Sequence, residues 1–333
     1  MDRKLLALLS VVIGIALFVI LLAVVGFESI LTPFMNVSFF YLGLFLLSSA
    51  LLFMVYVFRW ASVLKYQGIP APFLLLLKYK LISSAIGYIT PAARIGGEPL
   101  RAYLFKRHFN VKGRQAVSAI ILETTIGASV DMLFVAVMVF FLLLFFAFPG
   151  GLAGIALLLS LAGVLLIAVY FSTLMSRRGP FSGIASLLYA VIHLRVLKHI
   201  IGKMQIVESI MSDFLLSRKK GVMATVGIAL ISWPLTMLQY KFALLSIGFD
   251  APVQVVVLSI IATTLASVIP IPASMGVQEA SQFSIFRILG AANFGIALSL
   301  LIRLKDLIVT FLGLTLLSHE GLGILDVLRS HKK

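Results

Sequence analysis

Long apolar runs separated by short polar breaks set the pattern of this chain. Leu5 to Phe27 carries no charge and follows Arg3 and Lys4. About 20 residues at ~1.5 Å each cross the ~30 Å hydrocarbon core of a bilayer, so this run predicts a first membrane helix. Val37 to Phe58 predicts a second, Gln115 to Phe148 a long tilted one, and Leu152 to Phe171 another. Gly221 to Ile247 predicts a crossing kinked at Trp233-Pro234, and Asn293 to Leu317 predicts the last.

Two stretches do not fit a simple span. Phe73 to Phe105 breaks at Pro91 and continues through Arg94, Glu98 and Arg101. Arg59 and Lys65 precede it, and Lys106, Arg107, Lys112 and Arg114 follow it. Lys and Arg gather on the cytoplasmic side of membrane proteins, which puts both ends of this stretch on one side. A re-entrant helical hairpin is the expectation, with its broken backbone buried in protein or lining a cavity. Val253 to Leu289, interrupted by Pro270-Ile271-Pro272, predicts a second hairpin. The expected fold is an all-α polytopic membrane protein of about eight membrane-spanning segments, two of them re-entrant. Residues 172–220 form the one long loop, basic and apolar at helical spacing, expected as amphipathic helices on the cytoplasmic face.

The two breaks carry one pattern. Pro91-Ala92-Ala93 is followed by Glu98, and Pro272-Ala273-Ser274 by Glu279. Upstream, Trp60, Gly68, Ala71 and Pro72 answer to Tyr240, Gly248, Ala251 and Pro252 at an offset of 180 positions. This predicts repeats over about 37–148 and 221–317 inside a single transmembrane domain covering 1–333. With both termini cytoplasmic, the first hairpin enters from inside and the second from outside, so the repeats are expected to be inverted.

Composition fits this solvent. Hydrophobic residues make up 61% of the chain and charged residues 12%, about half the charged share of a soluble domain. Mean hydropathy is +1.14. The net charge of +15 follows the positive-inside rule, and no nucleic-acid signature accompanies it. There is no cysteine, hence no disulfide and no thiolate metal ligand. The expected location is the cell membrane.

The candidate chemistry lies at the breaks. A helix starting near mid-membrane offers unpaired N–H groups and the positive end of its dipole, a setting for phosphate. Gly96, Gly97 and Gly276 leave room for close backbone approach. Arg94, Arg101 and Arg303 supply fixed positive charge, and guanidinium matches phosphate oxygens in pairs. Glu98, Glu123, Asp131 and Glu279 balance those charges or hold an amine. The competing structural account is self-neutralisation at helical spacing: Arg94 with Glu98, Glu98 with Arg101, Arg303 with Asp306. Because an intramembrane charge costs ~2.5–3.5 kcal/mol on insertion scales, a cluster of them points to function. Lys78, Lys80, Lys241 and Arg287 are expected to snorkel. No hydrolase, nucleotide or metal motif occurs, and no cofactor or metal is called for.

Gly87-Tyr88-Ile89-Thr90-Pro91, Gly96-Gly97-Glu98-Pro99 with Arg101, Glu123 with Asp131, Pro270-Ile271-Pro272 with Gly276 and Glu279, and Arg303 together resemble the lysylphosphatidylglycerol synthase transmembrane-region family. The resemblance covers nearly the whole chain. It implies a flippase-like membrane region, which in bifunctional members moves aminoacylated phosphatidylglycerol. Members of that family often carry Gly-Gly after the second Pro, where this chain has Ala273-Ser274. The soluble aminoacyl-transfer domain of the bifunctional members is not expected in this chain. The expected function is transport of an anionic or aminoacylated phospholipid, or of a polyprenyl-phosphate-linked head group, between leaflets. No enzymatic activity is expected. Two alternatives stand beside it: a membrane enzyme acting on a lipid phosphate with Glu98, Glu123 or Asp131 as acid or base, and a scaffold for a glycosyltransferase. A lipid-modifying enzyme is an expected partner.

Overall fold

The computed structural model describes residues 32–90, 95–145, 150–192, 195–269 and 271–320. The expected span Leu5 to Phe27, the segment Pro91 to Arg94, Pro270 and the basic tail lie outside them. Among the described residues every regular element is helical. In hydrocarbon a backbone must satisfy its own N–H and C=O groups, and long Leu-, Val- and Phe-rich runs do so as helices. The order is α1 (Phe39–Tyr66), α2 (Phe73–Ile89), α3 (Glu98–Phe109), α4 (Gly113–Phe145), α5 (Gly150–Met175), α6 (Pro180–Ile192), α7 (Arg195–Ser217), α8 (Lys219–Leu230), α9 (Ser232–Ser246), α10 (Val253–Val268), α11 (Val277–Ile288) and α12 (Ala292–His319). One 3-10 turn, Ile95–Gly97, precedes α3, and another, Pro272–Ser274, precedes α11.

The protein is an all-α polytopic membrane protein. Among the described residues three stretches are long and apolar enough to cross a bilayer: Phe39–Tyr66, Gly113–Leu144 and Lys219–Ser246. Ser160–Met175 and Pro180–Ala190 reach that length and apolarity only as a pair, and they are bent by 89° against each other. The helix α12, at 28 residues, is about 42 Å long but carries Arg303, Lys305 and Asp306. The helices around the two breaks are short. With 17, 12, 16 and 12 residues, α2, α3, α10 and α11 reach about 18–26 Å each, less than the ~30 Å core.

Local structure repeats along with the sequence. Tyr66 and Ser246 end helices α1 and α9, and each is followed by a glycine at positive φ, Gly68 (78°) and Gly248 (82°). Ile69 N–H donates to Leu64 O, and Phe249 N–H donates to Leu244 O, both at 2.9 Å. Glycine serves here because the left-handed backbone costs other residues about 1–2 kcal/mol. Leu75 and Leu76 then donate to Pro72 O, as Val255 and Val256 do to Pro252 O. Helix, glycine turn, short helix, 3-10 turn, short helix and long helix therefore occur twice.

The chain divides into two compact units. One comprises Met1–Met54, Leu77–Arg101 and Pro234–Lys333, and the other Val55–Leu76 and Ala102–Trp233. In the first unit α2 and α12 pack antiparallel. Lys78 pairs with Glu320 at 2.6 Å, and Gly313 sits against Leu81 O and Ala85, where a Cβ would collide. Small residues at such crossings let helix backbones approach when lipid offers no hydrophobic drive. In the second unit Gly163 of α5 lies against Met132 of α4, and Gly221 of α8 against Tyr66. Trp60 and Phe105 meet at 5.4 Å between ring centres, and Phe134 and Trp233 at 5.0 Å. The amphipathic segment 172–220 folds as helices, and α7 buries Glu208, Met211 and Phe214 within this unit.

Candidate functional site

The second break is held by charge. Glu279, in the first turn of α11, is fully buried, and its Oε2 accepts the N–H of Gly276 at 2.9 Å. The carboxylate thereby satisfies an N–H that the start of a helix leaves without a partner. Arg303 on α12 binds the same carboxylate through Nε and Nη2, the latter at 2.8 Å. It also donates to Ala273 O (3.2 Å) and Ser274 O (3.5 Å). Tyr88, near the end of α2, lies close enough to Arg303 to interact with it electrostatically. Gly276, Glu279 and Arg303 thus come together, with Tyr88 of α2 near them. Arg303 pairs with Glu279 rather than with Asp306, which instead lies 3.1 Å from Lys305.

This knot holds a strained loop. Ala273 (φ 54°) and Ser274 (φ 50°) are both left-handed, a conformation that favours glycine. Ala273→Gly and Ser274→Gly are each expected to raise stability by about 0.5–1 kcal/mol, the relief of strain being partly offset by a freer unfolded chain. Thermal unfolding of the purified variants checks this; a fall in Tm for both contradicts it.

At the first break Arg94 lies outside the described residues. Gly96 packs against the Thr90 side chain, and Gly97 against the backbone carbonyl of Ser83, where a Cβ would overlap the oxygen. The chain can lie this close to the α2 backbone because residue 97 has no side chain. Gly97→Ala is expected to destabilise the protein by about 1–3 kcal/mol, because Ser83 O belongs to a helix backbone and cannot swing aside. Wild-type thermal stability in that variant would contradict the packing. Glu98 and Arg101 pair at 2.6 Å, and Arg101 is completely buried.

Glu123 and Asp131 lie on α4, in the second unit. Arg59 donates to Glu123 Oε1 through Nε (2.9 Å) and Nη2 (2.6 Å). Arg59 is 6% exposed and Glu123 0%. Gly127, one turn beyond Glu123, makes room for the guanidinium, and the Tyr56 ring centre lies 5.1 Å from it. Asp131 follows one further turn along and is half-buried.

Sequence reasoning missed Arg59, which it placed as a flanking charge past the end of a span at Phe58. Helix α1 instead runs on to Tyr66, which carries Arg59 into the protein. It also missed two neutral side chains. Gln282 is fully buried and donates to Ser259 O (2.8 Å) and Thr263 Oγ1 (2.9 Å). Gln278, one turn earlier, is 2% exposed. A signal was available, since Gln278 and Gln282 stand at i,i+4 and correspond, at the one-residue slip, to Gly97 and Arg101. Lys241, expected to snorkel, pairs with Asp250 and donates to Ala251 O at 2.7 Å.

Comparison with known proteins bears on the whole chain. The model of a family described as the lysylphosphatidylglycerol synthase TM region matches residues 8–313. A UPF0104 membrane protein of Pyrococcus horikoshii is 25% identical over 338 residues, covering 97% of each chain. Another, from Methanothermobacter thermautotrophicus, is 20% identical over 279 residues, covering 81% of each. No solved structure matches the chain.

Proposed function

The chain belongs to the lysylphosphatidylglycerol synthase TM-region family, and on that premise we propose that it carries a phospholipid, anionic or aminoacylated, or a lipid-linked head group between membrane leaflets. The observation that carries this proposal is the pair of helix breaks inside one compact unit. Each is followed by a short helix with buried charge at its start, Glu98 with Arg101 and Glu279 with Arg303. Short helices α2, α3, α10 and α11 act as two re-entrant hairpins. In this reading the two stretches of like element order are inverted repeats in one transmembrane domain. The termini are cytoplasmic and the membrane is the cell membrane. Arg101 and Arg94 meet the phosphate, Gly96, Gly97 and Gly276 allow its approach, and Arg303 with Glu279 holds the second break in shape. Glu123 and Asp131 balance Arg59 within the second unit. The protein moves lipid and does not alter it chemically; a lipid-modifying enzyme supplies or consumes the cargo.

The test is reconstitution of the purified full chain in vesicles with fluorescent phosphatidylglycerol. Transfer between leaflets faster than in protein-free vesicles is expected, with the lipid recovered unchanged. Transfer no faster than in protein-free vesicles would defeat the proposal, and conversion into a new species would favour the enzyme alternative. Arg101→Ala is expected to abolish transfer and Arg101→Lys to restore only part of it, because the ammonium lacks the paired geometry of guanidinium.

A further inference from the structure

The elbow between α5 and α6 forms a cleft of about 200 Å³, lined by Arg177, Arg178, Ser182, Gln205, Glu208 and Ser209 above Leu174 and Gly179. We propose that this cleft binds the phosphodiester head group of an anionic membrane lipid, at a site separate from the transport machinery.

Position is the first support. The chain turns by 89° where the apolar helix ends, so α6 leaves nearly perpendicular to α5. A helix leaving a span at a right angle runs along the membrane plane. Helix α6 exposes Phe181, Ile184, Leu187 and Leu188, spaced to share one face. Such a face buries itself at the boundary of head groups and acyl chains. The cleft at the start of α6 is then at head-group depth, with apolar surface beside it for the acyl chains.

Charge is the second. Arg177 and Arg178 stand at the rim. Arg177 is paired with Asp213 at 2.8 Å, but the two side chains are 66% and 59% exposed. An ion pair this wet contributes little, so a phosphate can replace Asp213. The cleft also contains a carboxylate. Glu208 is 4% exposed, and its oxygens accept the N–H groups of Phe181 (2.6 Å) and Ser182 (3.1 and 3.3 Å). The start of α6 thereby absorbs much of its charge. With Asp213 offsetting one guanidinium and Glu208 held by the helix start, one positive charge remains at the cleft, and Gln205 and Ser209 offer polar contacts to a glycerol head group. The volume equals only several waters at ~30 Å³ each, which suits a head group and excludes a peptide chain.

A local reporter separates this cleft from any transport site. Ile206→Cys places the chain's one thiol beside the cleft without altering its lining, and an environment-sensitive fluorophore is attached there in the full-length protein. Titration in neutral detergent with short-chain phosphatidylglycerol is expected to saturate, and phosphatidylcholine to give no response. Arg177→Gln with Arg178→Gln is expected to weaken binding at least tenfold. Glu208→Gln keeps an oxygen for the Phe181 N–H while removing the charge, and is expected to tighten binding severalfold; a purely structural role for the cleft would not. Arg101→Ala is expected to leave the response unchanged. An equal response to phosphatidylcholine, or undiminished binding in the folded double variant, overturns the proposal. Saturation by inorganic phosphate at the same concentrations assigns the cleft to a free anion and overturns the lipid source.

Discussion

Arg303→Ala is expected to lower stability by about 3–5 kcal/mol, among the largest effects of any single substitution in this chain. The guanidinium is the charge partner of Glu279, which is fully buried, and it ties down the carbonyls of Ala273 and Ser274. Its loss leaves a buried carboxylate uncompensated and two left-handed residues with no clamp. The size of the effect comes from the orphaned partner, so removing both charges should cost less than removing one. Arg303→Met with Glu279→Leu is expected to be more stable than Arg303→Ala alone. Thermal unfolding of the three proteins in detergent decides this. A double variant no more stable than the single one would show that the loop clamp, not charge pairing, is the main contribution.

Arg59→Ala is expected to be comparably severe, about 3–5 kcal/mol, although the residue lies in the other unit. Both donors go to one oxygen of Glu123, and both side chains are buried. Gly127→Leu should approach the same loss by another route, since its side chain must occupy the space of the guanidinium. In contrast, Arg287→Ala removes a guanidinium that only stacks over Phe283 at 5.9 Å and should shift stability by less than about 1 kcal/mol. Equal, small losses for Arg59→Ala and Arg287→Ala, measured by chemical unfolding, would contradict the buried-pair account.

Much of the fold was legible because a bilayer allows few solutions. Run length and proline position located α1, α4, the kinked α8 and α9, and both breaks, and the offset of 180 foretold matching glycine turns. What escaped was the direction in which polar side chains point. Arg59 follows Phe58 in sequence as a flank would, but helix periodicity carries it onto the face that meets α4. The second copy held a hint, for Gln239 stands at the equivalent position, is buried, and donates to Ser49 at 2.6 Å. Arg303 was singled out by its depth in the membrane, and the competing account paired it with Asp306, whereas it binds Glu279. Spacing of three along a helix permits a contact but cannot weigh it against a carboxylate arriving from another helix. The strain at Ala273 and Ser274 was hidden as well, because nothing in either residue type announces a positive φ. Only the resemblance to a family that carries glycines there pointed to it.

The central claim is that the two breaks line a single lipid-binding cavity in the membrane. Thr90 and Met275 stand at them and are half-buried, and the chain has no native cysteine to interfere. In vesicles containing Thr90→Cys or Met275→Cys protein, the account predicts that a small membrane-impermeant thiol reagent labels both positions and that added phosphatidylglycerol protects both. Labelling that phosphatidylglycerol protects at neither position would contradict it.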